Sequence, residues 1–154
     1  MVQVLFYHMT RSTVDETVAT LATRALGAGW RVMLRGTDAE RLDWLDQKLW
    51  LGAEDDFLPH GLAGGDHDAD QPVLMGTGPM TNAAQALMLV DGARPLPGEA
   101  AGLERIWVLF DGQDGGAVAD ARSFWKEVVA QSLPAQYWSD EGGRWEKKAE
   151  KVPA

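Results

Sequence analysis

The sequence predicts an α/β domain, with a mainly parallel sheet sandwiched between helices in three layers. Two observations carry that prediction. Apolar runs without clean alternation, VQVLFY at 2–7 and RIWVLF at 105–110, read as strands buried on both faces. Between such runs, helix-capping patterns open amphipathic stretches, so strand and helix alternate along the chain.

Taken in order, residues 2–7 form the first strand, rich in β-branched and aromatic types. Thr13-Val-Asp-Glu16 is a capping box, which starts a helix running to about Leu26 and stopping at Gly27 or Gly29. Trp30–Arg35 reads as the second strand. Thr37-Asp-Ala-Glu40 repeats the capping-box pattern and opens a helix with Leu42, Leu45 and Leu49 on its apolar face, ending near Gly52. Residues 53–72, with Pro59, Gly61, Gly64, Gly65 and Pro72, read as one long loop. Val73–Gly76 is a short strand, 79–85 a turn of helix, and Ala86–Val90 a strand stopped by Asp91-Gly92. After a Pro/Gly-rich loop at 92–102 come the strand 105–110 and a helix capped by Asp114 that reaches about Gln131. Gln136–Trp138 and Arg144–Glu146 flank Ser-Asp-Glu-Gly-Gly, a hairpin-like ending.

Composition narrows the function classes. The chain has 154 residues, 45% of them apolar and 24% charged, which suits one globular domain over 1–154 with a hairpin-like extension around 136–148. No run approaches the roughly 18 apolar residues that cross a bilayer, and the first residues lack the basic segment of a signal peptide. Cysteine is absent, so disulfides and thiolate metal sites are excluded and a cytoplasmic setting is expected. A net charge of −9 makes the chain a poor candidate for direct nucleic-acid binding. The charge is uneven: residues 38–70 hold ten acids against Arg41 and Lys48, whereas Arg144, Lys147, Lys148 and Lys151 make the end of the chain basic.

Catalytic and cofactor motifs are missing. His8-Met-Thr-Arg11 follows the first strand, and the chain contains no Gly-x-Gly-x-x-Gly, no Gly-Lys-Ser/Thr phosphate loop and no Gly-x-Ser-x-Gly. Gly76-Thr-Gly78 is a weak phosphate-cradle candidate. His60, Asp66, His67, Asp68 and Asp70 form a weak metal-ligand candidate, since an acidic, glycine-rich loop needs no metal to be soluble. A small nucleotide- or metal-binding enzyme using the 53–72 and 76–78 loops is the rival to a binding protein.

Two segments suggest binding. Trp50 lies at a helix end and Phe57 in an acidic loop followed by Leu58-Pro59-His60; such aromatics are either core plugs or partner anchors. In the helix from Asp114, Ala117, Ala121, Phe124 and Val128 share a core-facing stripe, with Arg122 and Lys126 on the other side. Val118, Trp125 and Val129 fall between the two faces. That arrangement is either a solvated face with a snorkelling lysine or an apolar shelf bordered by cations, suited to an acidic peptide ending in an apolar residue.

Leu42-Asp43, Leu49-Trp50 and Phe57-Leu-Pro-His60-x-Leu62, together with Phe6-Tyr7, Pro72-Val73, Ala121-Arg122-x-x-Trp125-Lys126 and Arg144-Trp145-x-Lys147, resemble the chi subunit of bacterial DNA polymerase III holoenzyme. The resemblance spans nearly the whole chain; the Leu-Trp and Phe-x-Pro-His block is its specific part. It implies a Rossmann-like or P-loop-like topology without a phosphate-binding loop, and a non-catalytic accessory subunit that needs no cofactor and meets nucleic acid only indirectly. It implies that Arg122, Trp125 and Lys126, with Val118 and Val129 beside them, grip the acidic, Phe-ending tail of single-stranded-DNA-binding protein. It also implies that Trp50, Phe57, Pro59 and His60 face the psi subunit or a helicase-like partner. Val118 departs from the family, standing where well-known members carry a further basic residue.

Overall fold

The computed structural model describes residues 2–51 and 58–152. An eight-stranded sheet runs through the molecule in the order β3-β4-β2-β5-β6-β1-β7-β8. Its strands are β1 (Gln3–Met9), β2 (Val32–Arg35), β3 (Gly61–Leu62), β4 (Val73–Gly76), β5 (Ala86–Leu89), β6 (Arg105–Asp111), β7 (Ala135–Ser139) and β8 (Glu146–Lys151). Every paired neighbour is parallel except β7 with β8, which form an antiparallel hairpin. The helices are α1 (Val14–Gly27), α2 (Ala39–Trp50) and α3 (Gly115–Ala130).

Strands at the centre of the sheet are apolar on both faces because both are covered. On one side α1 and α2 place Val18, Leu21, Leu42 and Leu45 against Leu5, Leu34, Met88 and Leu109. On the other, α3 and the segment after β5 place Phe124, Val128, Ala93 and Leu103 against Phe6, Met33, Leu87 and Ile106. The result is the three-layer α/β arrangement expected of alternating strands and helices. Among the described residues, no helix is long and apolar enough to cross a membrane.

The caps act where short-range chemistry places them. Thr13 accepts the amide of Glu16 to start α1, and Asp114 accepts those of Gly116 and Ala117 to start α3. Asp91 and Gly92 both take positive φ (53° and 82°) in the tight turn that ends β5, which the Asp-Gly pair favours. That turn leads to a buried ion pair. Arg35, 3% exposed at the end of β2, forks Glu99 at 2.6 and 2.8 Å and also donates to the Gly78 and Arg94 carbonyls. The Arg35 guanidinium beside it holds the Glu99 carboxyl below its ordinary range.

Five local expectations are corrected. Asp38, not Thr37, caps α2 by accepting the Glu40 amide; the Thr37 hydroxyl donates instead to the Asp91 carbonyl across the sheet end. Residues 79–85 form no helix: Asn82 is fully buried there and donates to the Val32 and Gln71 carbonyls, fixing the segment as an irregular crossover. The last strand begins at Glu146 rather than ending there, and Trp30 precedes β2 instead of opening it. The stretch read as one loop carries β3 and a 3-10 turn at Asp68–Asp70 among its described residues.

Candidate functional site

The outer surface of α3 is built by the division of its faces. Ala121, Phe124 and Val128 are buried in the core, so the helix is held by its apolar stripe. Arg122 and Lys126 are exposed, and Val118, Trp125 and Val129 are half-buried between the two faces. Val118 and Trp125 pack against the core beneath. The Trp125 ring meets Phe6 edge-on at 5.3 Å and Tyr137 of β7 at 6.0 Å. The indole is thus anchored on one side and open on the other, a shape suited to contact with a ligand. The pattern that left two readings open in the sequence is realised in space as an apolar shelf edged by two cations.

The electrostatics distinguish this edge from the opposite flank of the same helix. Among the described residues, neither Arg122 nor Lys126 has an ion pair, whereas Arg94, on the other flank of α3, is bound to Asp120 at 3.0 Å and lies over the Phe124 ring. Burial pushes the Tyr137 hydroxyl up, and the Arg122 charge partly offsets that push, which places the guanidinium within electrostatic reach of the hydroxyl. An uncompensated guanidinium next to a half-buried indole can fork a carboxylate while an apolar side chain lies on the shelf.

The second surface lies at the far edge of the sheet. Trp50, at the end of α2, is 52% exposed, and its ring covers His60 at a centroid distance of 4.3 Å. His60 itself is buried: its Nδ1 donates to the Leu58 carbonyl at 2.6 Å, and its Nε2 lies 3.2 Å from the Asp46 carboxylate. It is a prop under the indole, with Pro59 half-exposed beside it. Trp44, Leu51 and Leu62 add exposed apolar surface to α2 and β3. Phe57 lies outside the described residues.

The crevice where such sheets usually hold a ligand, outside the carboxyl ends of β1, β5 and β6, is also present, with a volume of about 820 Å³. Several of its backbone donors are engaged by the chain itself. The Asp140 carboxylate, from the turn after β7, accepts from the Thr10, Arg11 and Ser12 amides and the Thr10 hydroxyl at 2.6–3.2 Å. Asp111 accepts the Gln113 amide, and Thr13 and Asp114 cap the two helices that point into the crevice. Burial alone would push the Asp140 carboxyl up, but these bonds outweigh it and hold it well below the carboxylate range.

In the loops of the rival reading, polar groups are likewise used within the chain. Asp68 accepts the Gly64 and Gly65 amides, and the Gly78 carbonyl accepts from Arg35. No group of three or more metal-ligating side chains gathers among the described residues. Tyr137, His8 and Asp140 were not singled out by sequence reasoning. They come together across 128 to 130 positions of chain, and no local spacing signals such a contact.

Residues 1–136 match the family model described as DNA polymerase III chi subunit, HolC. No curated sequence matches the chain.

Proposed function

The chain belongs to the DNA polymerase III chi subunit family, whose members are accessory subunits of the replicative polymerase, and from that premise we propose that it is a non-catalytic connector between the polymerase assembly and single-stranded-DNA-binding protein. The α3 surface captures the acidic C-terminal tail of that protein. Arg122 forks a tail carboxylate, Lys126 supplies a second cation, and Val118, Trp125 and Val129 receive the tail's apolar end. The surface around Trp50, with Pro59 and the buried His60 behind it, docks the subunit to psi or to a helicase-like partner, and Phe57 belongs to the same motif. Contact with DNA is indirect, no cofactor takes part, and the setting is the cytoplasm.

One observation carries the reading: on a chain of net charge −9, Arg122 and Lys126 stand without ion pairs among the described residues, beside a half-buried indole. A cationic edge beside an apolar shelf attracts an anionic segment with an apolar end. The test is titration of a fluorescent acidic peptide ending in Phe. Arg122→Ala is expected to weaken binding by roughly tenfold to a hundredfold, since a desolvated charge pair is broken. Unchanged affinity in that variant would sink the site assignment.

A further inference from the structure

Beneath the cationic edge of α3 lies a polar pair that neither surface yet uses. Tyr137 Oη and His8 Nδ1 are hydrogen-bonded at 2.7 Å, on neighbouring strands β7 and β1. We infer that the Tyr137 hydroxyl, oriented by His8, is a third anion-contacting group of this surface, and that it makes the capture of an acidic peptide tail tighten as the pH falls. The inference rests on the tail reading of α3 and adds a positioning residue and a pH dependence to it.

The geometry holds both rings in place. Tyr137 stands opposite Phe6 in register and stacks on it at 6.5 Å, with Trp125 and Phe110 at 6.0 and 5.9 Å. The imidazole meets Phe110 edge-on at 5.2 Å and lies against Gly112, where any Cβ would collide with it. Tyr137 and His8 are both half-buried, so neither is sealed from a ligand on α3. Trp125 of the shelf meets the Tyr137 ring at 6.0 Å, and Arg122 lies about one turn earlier on the same helix, so the pair borders the same patch.

The proton on Nδ1 decides what the hydroxyl can offer. A bare Nδ1 accepts the phenolic proton, which then points inward. A protonated Nδ1 donates to the phenolic oxygen, so that the hydroxyl proton is free to turn toward an anion beside Arg122. The imidazolium also adds a positive charge beneath the shelf.

The charged and titratable groups on the elements around His8 include Tyr137, Arg122 and three carboxylates at the same end of the sheet, Asp111, Asp114 and Asp140; Arg11 donates to the Glu141 carbonyl, and α3 also carries Asp120, which pairs with Arg94, and Lys126 and Glu127 further along. The three carboxylates are committed to backbone amides: Asp111 to Gln113, Asp114 to Gly116 and Ala117, and Asp140 to Thr10, Arg11 and Ser12. Among the described residues none of them forms an ion pair with His8, so an incoming carboxylate meets no internal competitor there.

The experiment is fluorescence anisotropy of a short synthetic acidic peptide ending in Phe, with a free terminal carboxylate, on the full chain. Affinity for the unaltered protein is expected to rise roughly threefold to tenfold between about pH 8 and about pH 6, where the peptide's carboxylates stay ionised. Tyr137→Phe keeps the ring and its stacking. It is expected to bind severalfold more weakly at the lower pH and to lose most of the pH slope. His8→Gln is expected to flatten the slope at the affinity the unaltered protein shows at high pH. The His8 ring proton signals in NMR are expected to shift on peptide addition. If Arg122→Ala releases the peptide but Tyr137→Phe retains both affinity and slope, or the His8 signals stay still, this inference alone is overturned. If the unaltered protein fails to bind the peptide at either pH, the tail reading falls with it.

Discussion

Asp140 shows how one side chain can close a site. In related sheet architectures the loop after the first strand presents its amides to a phosphate. Here a carboxylate of the same chain takes those amides, and that anchors the β7–β8 turn to the start of α1. Replacing Asp140 by Asn removes the charge from several charge-assisted bonds and is expected to cost about 2–3 kcal/mol of unfolding free energy, read from urea denaturation. The pH dependence follows from the lowered folded-state pKa. The carboxylate binds protons less readily folded than unfolded, so its contribution is full above about pH 4 and is lost as the pH falls further. The unaltered protein should therefore lose stability on acidification more steeply than Asp140→Asn, and parallel curves for the two would contradict the anchor. Sequence reading could place Asp140 in a turn but not in a cradle 130 residues away.

At the scale of elements, α3 separates the residues that hold the fold from those proposed to meet the peptide tail. Phe124→Ala removes a buried ring that touches Phe6 edge-on at 5.7 Å and is expected to destabilise the fold by about 3–5 kcal/mol. Lys126→Ala, on the exposed face, is expected to change stability by no more than about 0.5 kcal/mol while weakening the peptide. Denaturation curves of the two variants measure the contrast. This division was legible in the sequence because a period of 3.6 residues assigns faces without knowledge of the partner. The start of α2 was less legible. Thr37 and Asp38 are both good caps, and the choice went to Asp38 because Thr37 bonds to Asp91, a residue brought there by β5. The strand β8, EKKAEK, has no apolar alternation to reveal it; pairing with β7 alone makes it a strand, and its lysines suit an exposed edge.

At the scale of the molecule, the two candidate surfaces belong to opposite ends of one sheet. From β3 beside Trp50 to β7 beside Trp125 there are six strand spacings, or roughly 30 Å. Two partners can therefore engage at once without sharing a contact residue, which is the geometry a connector needs. Trp50→Ala is expected to leave the affinity for the acidic peptide within about twofold, because substitutions that far apart act additively. A large loss would mean that the two ends are coupled. Raising the ionic strength should weaken peptide binding by screening Arg122 and Lys126, whereas an apolar contact around Trp50 should be little affected.

By itself the sequence determined the alternation of strands and helices, the caps at Thr13 and Asp114, the two faces of α3 and the absence of a phosphate loop. Each of these follows from interactions between residues a few positions apart, so a short window contains all the forces involved. Only the tertiary structure decided the strand order, the edge positions of β3 and β8, the burial of His60 under Trp50, the seating of Asp140 and the meeting of Tyr137 with His8. Those depend on which strands lie side by side, and that is set by how the whole chain covers both faces of its sheet rather than by any local pattern.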